Sequence, residues 1–344
     1  MKTQYANAVT QYENGTSLGG RIIKEGGLVV FPTETVYGLG ANGLNSEAVL
    51  KIFAAKGRPA DNPLILHIAK KSELKPLWSH VPDNARILAD TFWPGPLTMI
   101  FNRSSIVPDE VTAGLDTVAV RMPLNKTARA LINAAGVPVA APSANLSGKP
   151  SPTTAEHVRQ DMDGRVDLII DGGPCKYGLE STVVSLIGRP TILRPGAVTK
   201  EMLEAVIGPV DVAHAVLSPL REGETAASPG MKYRHYAPDA EVVVAEGKER
   251  EIAAKICREY DEREAAGEDC IIFATKQTQP FYRGRNCVII GDRTEPATLC
   301  ASLFYSLREY GDRADVIFAE ALPNGDMGLA YMNRLLRSAG FNII

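Results

Sequence analysis

The sequence predicts an α/β protein with two domains joined by a long linker. Its 344 residues suggest two domains more readily than one. Over residues 1–211, strand-like and helix-like segments alternate, which is the pattern of an α/β domain. Residues 212–239 carry several prolines and glycines without a regular period, as is typical of a linker. A fresh alternation over residues 240–344 predicts a small, doubly wound α/β domain.

Apolar runs and cap residues define the elements of the first domain. Residues 27–31 (GLVVF) form an apolar run ended by a proline, which predicts a buried strand. Residues 46–57 predict a helix, with Ser46 as a suitable N-cap and Gly57 at the C′ position. Further predicted strands are 64–69, 97–101, 117–122, 137–142 and 166–171, with 181–187 and 190–195 as a closing hairpin. Further predicted helices are 82–92, 126–136, 154–162 and 199–208.

The second domain follows the same alternation. Its predicted strands are 241–246, 270–275, 287–292 and 314–322, and its predicted helices are 248–264, 296–311 and 328–340. The helix over 248–264 is strongly charged, so we expect it to face solvent. This domain lacks the glycines of a phosphate-binding loop, and we therefore expect no second nucleotide site in it.

The composition excludes several classes of protein. Charged residues make up 22% of the chain and the net charge is -3, which argues against coating nucleic acid or an anionic membrane. No apolar run approaches the roughly 18 residues of a membrane helix, and the polar N-terminus does not resemble a signal peptide. The five cysteines form no C-x-x-C pair, as expected of free thiols in a reducing compartment. We therefore expect a cytoplasmic protein.

Residues 38–43 (GLGANG) match the dinucleotide fingerprint G-x-G-x-x-G, but their surroundings do not. Six residues separate the first glycine from the preceding strand, and the next helix is predicted to start only near Ser46. We interpret these residues as flexible turn glycines and not as a nicotinamide or flavin site.

The loop of residues 56–64 (KGRPADNPL) predicts an anion-binding site. Lys56 lies in the last turn of a predicted helix, where the helix dipole alone would also favour a cation. Arg58 and Asn62 are each followed by a proline, which fixes the backbone around them. A stiff frame lowers the entropy lost on binding, and an arginine with a lysine is a phosphate-binding combination.

Other polar side chains follow predicted strands, at the edge where α/β sheets usually bind ligands. Residues 33–35 (TET) follow the first strand, and Arg194 ends the last one. Arg121 ends the strand over 117–122 and, if buried, needs either a structural carboxylate or a substrate carboxylate as its partner. Short polar side chains in the loop after residue 140 suit phosphate or ribose contacts; they are Ser143, Asn145, Ser147 and Ser151.

Metal and nucleophile chemistry find no support in the sequence. The five histidines have no ligand spacing, and we expect no metal ligands from protein side chains. His67 lies within an apolar strand, where a core histidine is the default interpretation. No G-x-S-x-G elbow, Cys/His motif or Walker A loop is present. The cations therefore favour catalysis by positioning and charge neutralisation.

Taken in order, these stretches resemble the YrdC/Sua-type threonylcarbamoyl-adenylate synthases. The resemblance covers residues 15–208 through FPTETVYGLG, KGRPADNPL, WPGPLT, TVAVRMP, APSANLSGKPSPT, STVV and LRPGA. SPGMKYRHYAP (228–238) and the domain after it resemble the longer, two-domain Sua form. This implies an N-terminal YrdC-like domain with a twisted mixed sheet, joined by a long linker to a small Rossmann-like α/β domain.

The resemblance also implies the site residues. The Lys, Arg, Ser, Asn signature of the family falls on Lys56, Arg58, Ser143 and Asn145, which are implied to be catalytic. Residues implied around threonine are Thr35, His67, Arg121 and Ser181, with the backbone at Ala141. Residues implied around ATP are Arg58, Asn62, Thr117, Ser143, Ser151 and Arg194, with His235 and Tyr236 of the linker.

Enzymes of this family combine L-threonine, bicarbonate and ATP into L-threonylcarbamoyl-AMP and pyrophosphate. A separate transferase complex then modifies the adenosine next to the anticodon of certain tRNAs. The resemblance thus implies these three substrates, that transferase as a downstream partner, and Mg²⁺ held mainly by the ATP phosphates. Weak binding of this chain to RNA stays open. Lys56, Arg58, Arg121 and Arg194 would offset the repulsion between the carboxylate, the carbamate and the triphosphate. The linker is a candidate lid.

Two alternatives stay open from the residues alone. One is an RNA-binding module with a basic concave face, which the net charge and the absence of a basic stripe disfavour. The other is carbamoyl-adenylate chemistry of the hydrogenase-maturation kind. Proteins of that kind carry an acylphosphatase-like domain and C-x-x-C zinc modules, and this sequence has neither.

Overall fold

A computed structural model describes residues 2–8, 10–219 and 236–344. The chain divides into two compact units. The first comprises Met1–Ser147 and Ser151–Lys232, and the second comprises Gly148–Pro150 and Tyr233–Ile344. The predicted lid falls mostly on residues 220–235, outside the described residues, and stays a prediction.

The first unit contains eleven strands in one sheet and seven α-helices within its described residues. The strands are β1 Gln4–Asn7, β2 Val29–Phe31, β3 Gly38–Asn42, β4 Ile65–His67, β5 Leu97–Asn102, β6 Thr117–Arg121, β7 Val139–Ala140, β8 Leu168–Asp171, β9 Thr182–Ser185, β10 Thr191–Arg194 and β11 Asp211–Val212. The helices are α1 Tyr12–Lys24, α2 Ser46–Lys56, α3 Asp83–Phe92, α4 Asp109–Thr112, α5 Lys126–Ala135, α6 Ala155–Met162 and α7 Lys200–Ile207.

The sheet is mixed, as predicted, with the order β1-β8-β2-β3-β7-β4-β6-β5-β9-β10-β11. β4 and β6 are parallel, with His67 opposite Arg121, whereas β5 and β6 are antiparallel, with Thr98 opposite Arg121. The predicted hairpin is confirmed, because β9 and β10 pair in antiparallel orientation. Facing residues on neighbouring strands project to the same side of a sheet. Thr98, Arg121 and His67 therefore form one row across three strands.

Helix α2 shows how the local sequence sets an element's ends. Its N-cap is Asn45 and not Ser46, because the Asn45 side chain accepts the Ala48 N–H. Ser46 instead donates to Glu110, with its Oγ 2.7 Å from Oε2. The C-terminal prediction is correct: Gly57 has a φ of 61° and closes the helix in the left-handed region.

The interpretation of residues 38–43 as turn glycines is wrong. Gly38–Asn42 form β3, which pairs with β2 on one side and β7 on the other. A Cβ on Gly40 would lie 2.7 Å from Val139 and 2.8 Å from the Phe31 ring. These glycines therefore permit close packing inside the sheet.

Five strands and α-helices of the first unit are absent from the prediction, namely β1, β3, α1, α4 and β11. Helix α1 contains glycines that weaken its intrinsic helical tendency. A Cβ on Gly20 would lie 2.6 Å from that of Ala134, so the glycine allows α1 to approach α5 closely. Tertiary packing thus stabilises a helix that its own sequence disfavours.

The second unit has a four-stranded parallel sheet with the order β12-β15-β13-β14. Its strands are β12 Glu241–Ala245, β13 Cys270–Thr275, β14 Cys287–Gly291 and β15 Val316–Glu320, and its helices are α8 Glu249–Ala265, α9 Pro296–Tyr310 and α10 Gly328–Ser338. Each lies where the sequence predicts it. One face of α8 is buried, as at Ile252 and Ile256, while most of its charged residues face solvent. Among the described residues of the chain, no helix is long and apolar enough to cross a membrane.

Candidate active site

The loop after α2 and the loop after β7 are joined through Lys56. Lys56 is 3% exposed, and its Nζ donates to the carbonyl oxygens of Ser143 at 2.5 Å and Asn145 at 2.7 Å. The Ser143 hydroxyl donates in turn to Asn145 Oδ1 at 2.6 Å. Three of the four residues of the implied catalytic signature, Lys56, Ser143 and Asn145, are therefore in direct contact. The Lys56 side chain thus ties the loop that carries Ser143 and Asn145 to the end of α2.

Arg58 and Asn62 lie on the loop between α2 and β4. The Arg58 guanidinium packs over the Phe53 ring at 5.7 Å, and its Nη2 donates to the Asn62 carbonyl at 3.2 Å. Asn62 is 1% exposed, yet both polar atoms of its side chain lack a hydrogen-bond partner among the described residues. Buried amides are nearly always hydrogen-bonded, so the Asn62 side chain is one of the few exceptions among the described residues.

Arg121 ends β6 and contacts a structural carboxylate. Its Nη2 lies 2.6 Å from Oε1 of Glu34, and its Nη1 donates to the Thr35 hydroxyl at 2.9 Å. Burial by itself would raise the pKa of Glu34, but the adjacent Arg121 guanidinium outweighs burial and lowers that pKa below its ordinary value. Of the two partners left open for Arg121 by the sequence, the structural carboxylate is present.

His67 ends β4 beside Arg121. It is 4% exposed, and its Nδ1 lies 3.2 Å from the Ile65 carbonyl oxygen. Burial, and secondarily the Arg121 charge, lowers the pKa of His67 to about 3, so the imidazole is neutral at pH 7. Ala141 begins the loop after β7, and its N–H donates to the same Ile65 carbonyl, at 2.9 Å.

Ser181 and Arg194 form a second buried group. Arg194 donates to Ser181 twice, from Nε to the carbonyl oxygen at 3.1 Å and from Nη2 to the hydroxyl at 3.2 Å. The Ser181 hydroxyl also lies 2.7 Å from that of Thr98, and both of these residues are fully buried. Since Thr98 is the cross-strand neighbour of Arg121, this group and Arg121 share one face of the sheet.

The remaining predicted residues lie at different places. Ser151 is buried and donates to Glu180 at 2.6 Å. Thr117 begins β6, at the opposite end of that strand from Arg121, and the structure does not bring the two together. Tyr236 belongs to the second unit and packs on the Phe304 ring, with centroids 4.9 Å apart. His235 lies outside the described residues.

Three site residues are missing from the sequence prediction, namely Glu34 as the partner of Arg121, Thr98 and Glu180. Glu34 was visible as part of the TET segment, but nothing in the sequence pairs it with an arginine 87 positions away. Thr98 gives a weak signal, as a hydroxyl inside an apolar strand. Glu180 directly precedes Ser181 and gives no signal of its own.

The donor set bears on how Mg²⁺ would be held. Mg²⁺ prefers oxygen ligands in octahedral geometry and commonly keeps waters and phosphate oxygens. Within residues 2–8, 10–219 and 236–344, no group of three acidic, histidine or cysteine side chains could hold a metal ion. Glu34 and Glu180 are already engaged by Arg121 and Ser151. Among the described residues, the structure therefore offers no ligand set for a resident metal ion.

Comparison with known proteins decides the family. The model for the Sua5, YciO and YrdC domain, described as "Telomere recombination", matches residues 21–196. A second model, described as "Threonylcarbamoyl-AMP synthase, C-terminal domain", matches residues 198–340. The chain belongs to the Sua5 family of threonylcarbamoyl-AMP synthases. The YrdC/Sua-type resemblance of the sequence is thereby confirmed.

Relatives of this Sua5-family chain match over nearly its whole length. The threonylcarbamoyl-AMP synthase of Bacillus subtilis is 47% identical over 94% of this chain and 92% of its own length. The threonylcarbamoyl-AMP synthase of Pyrococcus abyssi is 47% identical over 94% of this chain and 93% of its own length. The solved structure of P. abyssi Sua5 complexed with L-threonine has a TM-score of 0.93 and 44% identity, covering 100% of this chain and 99% of that one. The predicted fold class is confirmed by this match.

Proposed function

We propose that this Sua5-family chain forms L-threonylcarbamoyl-AMP and pyrophosphate from L-threonine, bicarbonate or CO2, and ATP, at the site around Lys56 and Arg121. The observation that carries the proposal is the buried row of Thr98, Arg121 and His67 across β5, β6 and β4. The row is bordered by a second buried arginine, Arg194, bonded to Ser181. Arg121 within the row and Arg194 beside it supply the cations where a carboxylate and a phosphate must approach each other.

In this proposal the threonine carboxylate binds Arg121, next to Thr35. His67, being neutral, does not repel the amino group, and the hydroxyl of Ser181 and the backbone at Ala141 complete the threonine pocket. The amine adds to CO2 and releases a proton, giving a carbamate. A carbamate oxygen then forms a bond to the α-phosphorus of ATP, and the bond from that phosphorus to pyrophosphate breaks.

The nucleotide side of the site is assigned to the loops after α2 and β7. Arg58, Asn62, Thr117, Ser143, Ser151 and Arg194 are proposed to contact ATP, together with His235 and Tyr236. Lys56 and Asn145 would fix the loop that carries Ser143, and the Lys56 ammonium would supply positive charge beneath it. Mg²⁺ would enter on the ATP phosphates and neutralise part of their charge. Exclusion of water by these loops would protect the carbamate, which decomposes readily.

The product is proposed to pass to a separate transferase complex that modifies tRNA, while any contact of this chain with RNA is weak. The five cysteines carry no disulfide, which supports a cytoplasmic setting where thiols stay reduced.

The test is an omission series on the full chain. Pyrophosphate release is measured with all substrates, and then with ATP, L-threonine or bicarbonate left out in turn. We expect release only from the complete mixture. Release that continues without threonine would contradict the proposed reaction, as would steep, salt-dependent RNA binding with no threonine-dependent use of ATP.

A further inference from the structure

Glu34 is a buried carboxylate at the centre of the site that the proposed reaction does not use. It is 6% exposed and follows β2 by three positions. One oxygen, Oε1, lies 2.6 Å from Arg121 Nη2, and the other accepts the Asn125 N–H at 3.1 Å. Asn125 is the N-cap of α5, with its own side chain bonded to the Ala128 N–H. Glu34 thus connects Arg121 to the start of a helix.

We propose that Glu34 is a positioning residue that aims the Arg121 guanidinium at the carboxylate of the substrate amino acid. This inference rests on the proposed function, in which Arg121 binds that carboxylate. It adds a role for a residue that makes no contact with substrate itself.

The hydrogen bonds of Arg121 support this role. A guanidinium has five N–H donors in a fixed plane. Among the described residues, three are used: Nη2 by Glu34, Nη1 by Thr35 and Nε, at 3.4 Å, by the Gly95 carbonyl. One N–H on each terminal nitrogen is left for a ligand. Because the plane is rigid, the three protein contacts set the direction of those two remaining donors.

Of these three contacts, the one to Glu34 is the strongest. It is the shortest and joins opposite charges in a buried setting, whereas Thr35 and Gly95 offer neutral oxygens. An arginine side chain has several rotatable bonds, so loss of its charged anchor would let the guanidinium turn. A turned guanidinium would still be a cation, but it would meet a carboxylate with poorer geometry.

A simpler role for Glu34 would be to neutralise Arg121 for the sake of folding. The two roles differ in what they predict for ligands that lack a carboxylate. If Glu34 aims Arg121, its loss weakens binding of carboxylates alone. If it only neutralises charge, its loss disturbs the pocket for every ligand.

The experiment compares L-threonine with L-threoninamide, in which a neutral amide replaces the carboxylate. Binding of each to the full-length protein is measured by calorimetry without ATP. We expect the wild-type protein to prefer threonine. In Glu34→Gln we expect the Kd for threonine to rise about tenfold or more, while the Kd for threoninamide changes less than about twofold.

The matched control is Glu204→Gln. Glu204 also pairs with a cation and accepts a backbone N–H, through Lys200 at 3.0 Å and Val210 at 3.2 Å. It lies on α7 and belongs to none of the contacts described for the site. We expect this variant to bind both ligands like the wild type. Glu34→Asp retains the charge but shortens the side chain, and we expect it to lose affinity for threonine selectively even if Glu34→Gln fails to fold.

The possible outcomes distinguish a failure of the proposed function from a failure of the positioning role of Glu34. A wild-type protein that binds no threonine would overturn the proposed function. A wild-type protein that binds both ligands equally would overturn the role of Arg121 and with it the inference. Equal weakening of both ligands in the Glu34 variants, or wild-type affinity for threonine in Glu34→Asp, would overturn the positioning role and leave the proposed function intact.

Discussion

The Arg58 guanidinium donates to the main-chain carbonyl of Asn62 at 3.2 Å, while the Asn62 side chain, buried beside it, has no hydrogen-bond partner among the described residues. Asn62 is therefore held through its backbone carbonyl, while the polar atoms of its side-chain amide lack a hydrogen-bond partner among the described residues. A buried, unpaired polar group costs about 1 to 3 kcal/mol of stability. The ATP contact proposed for this amide would offset that cost when the nucleotide binds.

Asn62→Ala should therefore weaken ATP binding without destabilising the protein. We expect the KM for ATP to rise about tenfold or more, equivalent to about 1.4 kcal/mol. The free energy of unfolding should stay within about 1 kcal/mol of the wild type, because no hydrogen bond is lost. Pyrophosphate-release kinetics and urea denaturation measure the two quantities.

Asn145→Ala is the control for stability. The Asn145 amide donates to the Leu146 carbonyl at 2.8 Å and accepts from Ser143 at 2.6 Å. Removing it breaks bonds that exist, so this variant should lose stability where Asn62→Ala does not. Equal destabilisation by both substitutions would show that Asn62 has a structural role after all.

The prediction of the fold from sequence succeeded where the local signal was strong. Apolar runs with clear ends located β2, β5 and β13, and Gly57 correctly marked the end of α2. It failed where packing overrides local tendency. β3 is glycine-rich because Val139 and Phe31 leave no room at Gly40, and α1 contains glycines because α5 lies against it. Val139 and α5 are both far in the sequence from the glycines that they contact.

The prediction of the site shows the same limit. The cations could be predicted, because Arg121 and Arg194 stand at strand ends. Their partners could not, since Glu34 is 87 positions from Arg121, and Thr98 is 83 positions from Ser181. Such pairs follow from strand order and register, which the sequence alone does not specify. Residues that are close in the sequence can also be apart in the structure. Thr117 and Arg121 lie at opposite ends of the same strand, β6.

Lys56→Met should remove both stability and activity. The ammonium group donates to the carbonyls of Ser143 and Asn145, and its loss leaves both without that donor. We expect a loss of about 2 to 4 kcal/mol in the free energy of unfolding and a fall in the rate of pyrophosphate release of about 100-fold or more. The rate is measured at a temperature where the variant is folded.

Lys51→Met is the matched control for Lys56. Lys51 lies on the same helix and donates to the Gly26 carbonyl at 2.8 Å, but it is exposed. In this variant the free energy of unfolding should fall by less than about 1 kcal/mol, and the rate of pyrophosphate release should stay at the wild-type value. Full activity in Lys56→Met would contradict the assignment of the site.

Stability should fall as the pH drops from 7 to 5, in part because of His67. The pKa of His67 is lowered to about 3 in the folded protein, whereas an unfolded histidine titrates near 6.5. Below pH 6.5 the unfolded chain therefore takes up a proton that the folded chain does not, which favours unfolding. The His67 contribution to the change in the free energy of unfolding approaches about 1.4 kcal/mol per pH unit. It begins at a pH above the range in which most carboxylates titrate.

The check is the pH dependence of urea unfolding in His67→Gln. We expect its slope between pH 6.5 and 5 to be smaller than that of the wild type by about one proton. His80→Gln, which replaces an exposed histidine and leaves His67 in place, should keep the His67 contribution. An unchanged slope in His67→Gln would mean that the buried imidazole takes up its proton without unfolding.

Glu320→Gln should destabilise the second unit selectively. Glu320 is 1% exposed and accepts from Thr275 at 3.1 Å, Tyr282 at 2.9 Å, Arg293 Nη1 at 2.9 Å and also Thr278. Glutamine removes the charge opposite Arg293 and replaces one acceptor with a donor. Breaking a buried ion pair on one side costs about 3 to 5 kcal/mol, and we expect a loss of that size.

The positions of the tryptophans allow this effect to be located. Both tryptophans of the chain, Trp78 and Trp93, belong to the first unit. Tryptophan fluorescence thus follows that unit, whereas far-ultraviolet circular dichroism follows both. In Glu320→Gln, part of the dichroism signal should be lost at lower urea while the fluorescence midpoint stays near the wild-type value.

Glu241→Gln is the control on the same sheet. Glu241 pairs with Arg263 at a half-exposed position and should contribute less than about 1 kcal/mol to the free energy of unfolding. Equal effects of the two substitutions would show that the Glu320 network adds no more than a surface ion pair.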